Sequence, residues 1–208
     1  KDYHLPNDTA YAETCAAIGL IFFANKMLYL ERNRKYADIM ERALYNGVLA
    51  GMQLDGTRFF YVNPLETLPG ISGEAMTHKH ALPVRPKWFA CACCPPNVAR
   101  MLSSISEYAW HLTQDTLFSN LYIDGTLDLT ENFGGKIILE TAYPYNHVVN
   151  YKFVPVKETM YVPLAIRIPA WSGNTKILMN GKPAEYEMKA GYAYIFGEYR
   201  AEDIITVE

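Results

Sequence analysis

Cys91, Cys93 and Cys94 fall within four positions of the stretch KWFACACCPPNVARM, residues 87–101, and Cys15 is the only other cysteine of the chain. Vicinal Cys93 and Cys94 make a poor disulfide, because neighbouring Cα atoms sit only about 3.8 Å apart. Three readings stay open on the residues alone. Soft thiolates suit zinc, a thiol of lowered pKa can be a nucleophile, and buried thiols can simply fill a core. Pro95 and Pro96 stiffen the backbone beside the thiols and are expected to keep Cys94 out of helical geometry. Asn97 then reads as the cap of a following helix. The thiols would thus approach a helix N-terminus, whose partial positive charge favours a thiolate. This does not say which thiol does what.

A zinc site needs about four ligands. Cys15 lies in YAETCAAIG. With Thr14 as N-cap, Cys15 is the first helical residue and Glu13 stands just outside. Inside a regular helix, residues i and i+2 point apart; at a helix entrance both can turn to one metal. Glu13, Cys15, Cys93 and Cys94 then form a mixed carboxylate–thiolate set, against the plainer reading of Glu13 as solvated. His78 and His80 in THKH are a competing ligand pair, or a solvated loop pair. His4, His111 and His147 are isolated, and His111 reads as a surface or capping residue near a helix end. A redox role has little support: CACC contains C-x-C spacing, but there is no thioredoxin-like C-x-x-C followed by a βαβ pattern.

The elements that must position these groups change character along the chain. Residues 14–31 read as a helix whose apolar residues cover most of its surface, so burial on several sides is expected. A second helix spans roughly 33–50, with Ala37, Met40, Leu44 and Val48 in one stripe. Residues 52–90 hold the β-like TRFFYVNPLE and then a long irregular segment punctuated by Pro69, Gly70, Gly73, Pro83 and Pro86, of the kind that rims active sites. A third helix follows Asn97, with Val98, Met101, Leu102, Ile105, Tyr108, Ala109 and Leu112 at helical spacing. After about residue 114 the period becomes two. Leu164, Ile166 and Ile168 share one face with Ala165 and Arg167 on the other, Asn180-Gly181 signals a type I′ hairpin, and AEDIITVE supplies a last strand. A helical unit over 1–113 and a β-sandwich over 114–208 are therefore expected.

With 208 residues, 50% hydrophobic, the chain can bury one large core or two modest ones. The net charge of −3 and scattered Lys and Arg argue against a nucleic-acid partner, and no apolar run is long enough to span a bilayer. Four cysteines at this spacing do not make a disulfide framework. KDYHLPNDTAYAETC has no initiating Met and no apolar signal core. The chain therefore reads as a fragment or processed product. Any targeting signal would lie outside it, and a cytoplasmic location is only a default.

YAETCAAIG, WFACACCPPN and the intervening YVNPLE together resemble the β-L-arabinofuranosidases of glycoside hydrolase family 127, over essentially the whole chain. The resemblance implies the later part of an (α/α)6 barrel followed by an antiparallel β-sandwich. It implies a zinc ion held by Glu13, Cys15, Cys93 and Cys94, with Cys93 also the nucleophile. Cys91, outside that set, is expected to be a buried support thiol. The implied reaction is retaining hydrolysis of β-L-arabinofuranosides through a thioglycosyl intermediate, acting on an arabinofuranose-containing oligosaccharide or glycoconjugate, with Tyr61 a candidate substrate contact. The family's acid/base Glu lies shortly before the E-T-C pattern, where KDYHLPNDTAYA contains no Glu, and Asp2 and Asp8 match nothing in the family. The isolated chain is therefore expected to be incomplete, the missing barrel half coming from the parent chain or an oligomeric partner. The alternative is a non-catalytic carbohydrate-binding or structural module in which zinc staples loop to helix.

Overall fold

The computed structural model describes residues 6–208, so Asp2 and His4 lie outside the described residues. The chain divides into two compact units, one of residues 1–30 and 38–105, the other of residues 31–37 and 106–208.

In the first unit, α1 (Thr14–Leu30) buries Thr14, Ile18, Ile21, Ala24, Asn25 and Leu28 along one side. The expected burial on several sides is not found: Leu20, Phe23, Tyr29 and Leu30 are exposed. The described partners of α1 in this unit, the turn at Leu44–Val48 and helix α3 (Cys94–Ser103), cover its other side.

The helix expected over 33–50 is not uniform. It is α-helical as α2 (Arg34–Ala43), widens to a π turn at Leu44–Val48 and tightens to a 3-10 turn at Leu49–Gly51. The π turn coincides with close packing. A Cβ at Gly47 would stand 2.6 Å from the Cβ of Ala17, so the backbone here approaches α1 at a distance only glycine allows. Such a π turn inside a helix commonly sits beside a functional site, and here the Gly47 carbonyl is free to accept from the Asn63 amide at 3.1 Å.

Helix α3 begins at Cys94, three residues before the expected cap at Asn97, and Cys94 is helical rather than held out. The reason is that proline suits the first turn, where its missing N–H would find no intrahelical partner anyway. The helix stops at Ser103 instead of running on to Leu112. A short turn at Ser106–Ala109 leads into strand β1 (Trp110–Leu112). β1 folds back on β2 (Leu117–Ser119) through a turn in which the Thr113 hydroxyl accepts from the Thr116 amide at 2.9 Å.

The second unit is mostly antiparallel sheet. A six-stranded sheet runs in the order β3 (Gly125–Leu129), β4 (Gly135–Thr141), β5 (Val149–Pro155), β13 (Ile204–Val207), β8 (Ile177–Met179), β9 (Lys182–Pro183). A five-stranded sheet runs β1, β2, β7 (Leu164–Arg167), β11 (Tyr192–Ile195), β10 (Glu187–Lys189), with β2 and β7 parallel. A small pair joins β6 (Met160–Tyr161) to β12 (Glu198–Tyr199). Ile137, Leu139, Tyr151, Phe153, Ile205 and Val207 of the larger sheet share one hydrophobic cluster with Leu164, Ile166 and Ile195 of the other. The hairpin at Asn180-Gly181 has φ of 52° and 76°, the positive pair a type I′ turn needs.

The second face of β7 is not solvent. Ala165 packs with Phe118 and Tyr192, and Arg167 is fully buried with its guanidinium over the Tyr122 ring. His111, expected at the surface, is buried on β1, its Nδ1 2.7 Å from Nη1 of Arg32. A ring this size beside a guanidinium is hidden by the strand it sits on, which a helical reading of the segment could not foresee.

Candidate metal centre

The site is assembled in the first unit where the entrances of α1 and α3 meet the 52–90 segment. The Thr14 amide donates to the Tyr61 carbonyl at 3.0 Å, and Glu13 pairs with Val62 in an isolated β-bridge. Thr14 is not the expected cap. It is itself the first residue of α1, and its hydroxyl donates to the Phe60 carbonyl at 2.9 Å. Asn63 closes this junction. Its side-chain amide donates to the Ala12 carbonyl at 3.2 Å, to Thr14 Oγ1 at 3.1 Å and to the Gly47 carbonyl at 3.1 Å. One buried amide thus fixes the residues on both sides of Glu13, the π turn and its own loop.

Cys15 Sγ lies 3.2 Å from Cys93 Sγ and 3.7 Å from Cys94 Sγ, and the last two are 3.9 Å apart. Glu13 Oε1 is 4.0 Å from Cys93 Sγ. Ligands of a tetrahedral zinc at Zn–S of about 2.3 Å stand about 3.8 Å from one another, so Cys94 is already spaced from the other two sulfurs for one ion, and Cys15 and Cys93 would part slightly to hold it. Among the described residues, Cys15, Cys93 and Cys94 are the one cluster of at least three metal-ligating side chains, their ligand atoms within 4.8 Å of each other. All four cysteines are free thiols.

Without a cation the cluster favours neutral thiols. Burial, then hydrogen bonding and repulsion from Cys15 and Cys93, push the Cys94 thiol far above its ordinary pKa. Three thiolates this close cannot coexist by themselves, whereas a divalent ion would hold them deprotonated. Asn97 adds a donor: its Nδ2 is 3.1 Å from Cys15 Sγ. Such a contact orients a ligand and stabilises charge on it.

A wall of rings stands beside the cluster. Tyr61 stacks on Phe89 at 4.8 Å and meets Tyr11 edge-on at 6.3 Å. Hydrogen bonding with Tyr11, then burial and the neighbouring Glu13 and Cys93 charges, hold the Tyr61 phenol well above its usual pKa. It is therefore a neutral donor close to the thiols.

Other candidates fall elsewhere. His78 Nε2 is 2.9 Å from Asp8 Oδ2, and His80 Nε2 is 3.1 Å from the Thr9 carbonyl. These rings tie the loop to residues 8–9 rather than joining the thiols. Cys91 is exposed, not the buried support thiol expected; it precedes α3 in irregular chain and no element covers it. Pattern alone does not reach Asn97 and Asn63: it presents Asn97 as a helix cap, whereas the fold turns its side-chain amide to Cys15. Asn63 carries a signal only in hindsight of its place in YVNPLE, between residues that pair with the Glu13 segment.

The comparisons with known proteins agree with this geometry. The catalytic domain of GH127 β-L-arabinofuranosidases matches residues 1–107, and the GH127 middle domain matches residues 116–208. The chain belongs to the GH127 β-L-arabinofuranosidase family, a family of glycosidases. It is 39% identical over 199 residues to the non-reducing end β-L-arabinofuranosidase of Bifidobacterium longum subsp. longum, a match spanning 93% of this chain and 30% of that protein. Among solved structures, a GH127 β-L-arabinofuranosidase from Geobacillus stearothermophilus T6 superposes with a TM-score of 0.87 at 45% identity, over 97% of this chain and 32% of that one. A GH127 β-arabinofuranosidase superposes with a TM-score of 0.85 at 31% identity, over 100% of this chain and 33% of that one. The chain thus spans about a third of the length of these relatives.

Proposed function

We propose that this chain carries the nucleophile and metal ligands of a retaining β-L-arabinofuranosidase, with Glu13, Cys15, Cys93 and Cys94 holding zinc and Cys93 attacking the sugar. The observation that carries the choice of Cys93 is the inequality of the three clustered thiols. Cys94 is fully buried, and Cys15 takes the Asn97 amide, whereas Cys93 is partly accessible and faces Glu13. Zinc, when bound, keeps the thiols ionised at neutral pH and offsets their mutual repulsion. In the first step Cys93 Sγ attacks the anomeric carbon. A C–S bond forms, the glycosidic C–O bond breaks, and its electron pair leaves on the departing oxygen, which takes a proton from a carboxylic acid. In the second step water attacks the same carbon from the opposite face and gives its proton to the carboxylate left by the first step, the C–S bond breaks with its electron pair on sulfur, and the thiolate and the carboxylic acid are both restored. Two inversions give net retention.

Tyr61, neutral and beside Cys93, would donate to a furanose hydroxyl or to the glycosidic oxygen, with Phe89 fixing its ring. By family likeness the proton donor is a Glu preceding the Glu13 segment, a residue that positions 1–12 do not supply. By the same likeness residues 1–113 form part of an (α/α)6 barrel and residues 114–208 a β-sandwich. The substrate is an arabinofuranose-containing oligosaccharide or glycoconjugate, and the remaining barrel helices come from the same polypeptide or an oligomeric partner. The exposed Leu20, Phe23 and Leu30 of α1 agree with helices packing there.

The test compares Cys93→Ser with the unsubstituted enzyme, produced at the length of its relatives, on an aryl β-L-arabinofuranoside. Turnover should fall at least about 1,000-fold, or about 4 kcal/mol in the barrier, with zinc still bound. Full turnover in Cys93→Ser would remove the nucleophilic role and favour a zinc that only staples α1 to α3.

A further inference from the structure

His78 and His80 do not join the thiols, yet both close on the stretch that leads into Glu13. His78 Nε2 meets Asp8 Oδ2 at 2.9 Å, and His80 Nε2 meets the Thr9 carbonyl at 3.1 Å. A carbonyl only accepts, so His80 carries a hydrogen on Nε2. Residues 78–80 thus clasp residues 8–9, and Tyr11 follows two positions later. The Tyr11 ring lies 5.6 Å from that of His80, tilted by 38°, and 6.3 Å from that of Tyr61, edge-on at 71°. The two phenols are hydrogen bonded to each other. Beneath them the backbone is fixed as well. The Glu13 amide donates to the Tyr11 carbonyl at 3.1 Å, and the Asn63 amide donates to the Ala12 carbonyl at 2.9 Å.

Tyr11 is 60% exposed, and single exposed rings need no special account. This one is different because it is held on two sides, by His80 and by Tyr61, and because of what Tyr61 still lacks. Phe89 stacks on one face of Tyr61 at 4.8 Å, with planes 16° apart. The Tyr61 carbonyl is anchored by the Thr14 amide at 3.0 Å. Stacking fixes the plane of a ring but lets it slide within that plane, and it leaves the hydroxyl free to turn about its C–O bond. A second ring set across the first, with a bond to its oxygen, removes both freedoms. Such precision counts at a site of this kind, because a small displacement of an orienting group costs catalysis steeply.

We infer that Tyr11 is a positioning residue of the glycosidase site: acting through Tyr61, it fixes where that phenol points beside Cys93. The inference rests on the reading of Tyr61 as a substrate contact. It also gives His80 a place in the site, as the ring that backs Tyr11 from the other side.

The experiment is a double-mutant cycle on the enzyme produced at the length of its relatives, with an aryl β-L-arabinofuranoside as substrate. Tyr11→Phe drops only the hydroxyl, Tyr11→Leu drops the ring as well, and each is made in the parent and in Tyr61→Phe. Zinc content and the unfolding midpoint are measured beside turnover in every variant. In the parent, Tyr11→Phe should lower kcat/KM about 5-fold, the worth of one neutral hydrogen bond. Tyr11→Leu should lower it at least about 10-fold, since the ring contact goes too. In Tyr61→Phe the first loss should shrink to under about 2-fold, because the bond it removes is already gone. A merely structural Tyr11 would lower turnover by the same factor in both backgrounds, and that result overturns the inference. So does a Tyr11→Leu enzyme within about 2-fold of the parent. If either occurs while Tyr61→Phe is impaired, Tyr61 keeps its role and Tyr11 alone loses its own. Full turnover in Tyr61→Phe would instead remove the Tyr61 reading, and the role of Tyr11 with it.

Discussion

The two units of this chain are held by different means. In the second, ladders between strands carry most of the order, and the side chains follow a two-residue period into one cluster. Around the thiols the backbone is irregular from Met52 to Ala90, and single polar groups do what a ladder does elsewhere. The Asn63 amide reaches three acceptors in two segments, and Thr14 reaches the Phe60 carbonyl. Redundancy is the lesson. A sheet spreads its energy over many equivalent bonds, so it yields chiefly to loss of core volume. A site built from a few unlike contacts yields to the loss of one of them.

The largest expected effect tests the first half of that contrast. Phe153 is buried and stacks on Tyr199 at 3.8 Å with planes 3° apart. Phe153→Ala should cost about 3–5 kcal/mol in urea unfolding followed by circular dichroism; a cost below about 1 kcal/mol would show that the sheet core repacks freely. Next is Cys94→Ser, which should weaken zinc binding, measured against a chromophoric chelator, by more than the roughly 10- to 100-fold that loss of an outer contact costs. Asn97→Ala should fall within that range, and Cys91→Ser should leave affinity unchanged. Asn63→Ala comes third, at about 1–3 kcal/mol in stability because it strands buried acceptors, with zinc affinity falling alongside. Stability lost with zinc affinity intact would mean that Asn63 supports the loop but not the metal ligands.

A smaller effect separates shape from polarity within the sheet core. The Tyr199 hydroxyl is buried without a hydrogen-bond partner among the described residues, and burial above all raises its pKa. Tyr199→Phe should therefore be neutral or stabilising by up to about 1 kcal/mol, read from the shift in urea midpoint. A loss of 2 kcal/mol or more would reveal a bound water or a partner for that oxygen.

The same contrast explains what could be read from the residues in order. Alternating apolar residues made the strands around Leu164 and Ile205 legible, and Asn180-Gly181 specified its turn because few residues tolerate positive φ at both positions. The convergence of Cys15 with Cys93 and Cys94 was legible through family likeness and through thiol chemistry; the distances now bring them together. Burial on the second face of β7 was not legible, because a lone Arg167 in an apolar run looks the same whether it faces water or Tyr122. The π turn at Gly47 was hidden for a related reason. It packs against the Cβ of Ala17, thirty positions away, and a helical stripe carries no record of such a neighbour. The start of α3 was misplaced because proline is both a helix breaker and a favoured first-turn residue, and only the fold decides between these.

The mildest test lies at the rim of the larger sheet, where a side-chain contact resembles those of the site but is fully solvated. Asp128 accepts from the Thr130 amide at 3.0 Å and pairs with Lys136 at 2.9 Å. Hydrogen bonding to Thr130, then to Lys136, lowers its pKa from 3.8 to about 2. A depressed carboxylate favours the folded state above its unfolded pKa and loses that contribution as pH falls through the folded value. The difference in stability between the parent and Asp128→Asn should thus be constant above about pH 5 and shrink between about pH 4 and pH 2, and the Asp128 carboxyl carbon should titrate with a midpoint of about 2. A midpoint near 3.8 would mean that solvent dissolves both contacts. Since exposed pairs contribute little, Asp128→Asn should barely move the unfolding midpoint at neutral pH. The same kind of polar contact matters at Asn63 because water cannot replace it there.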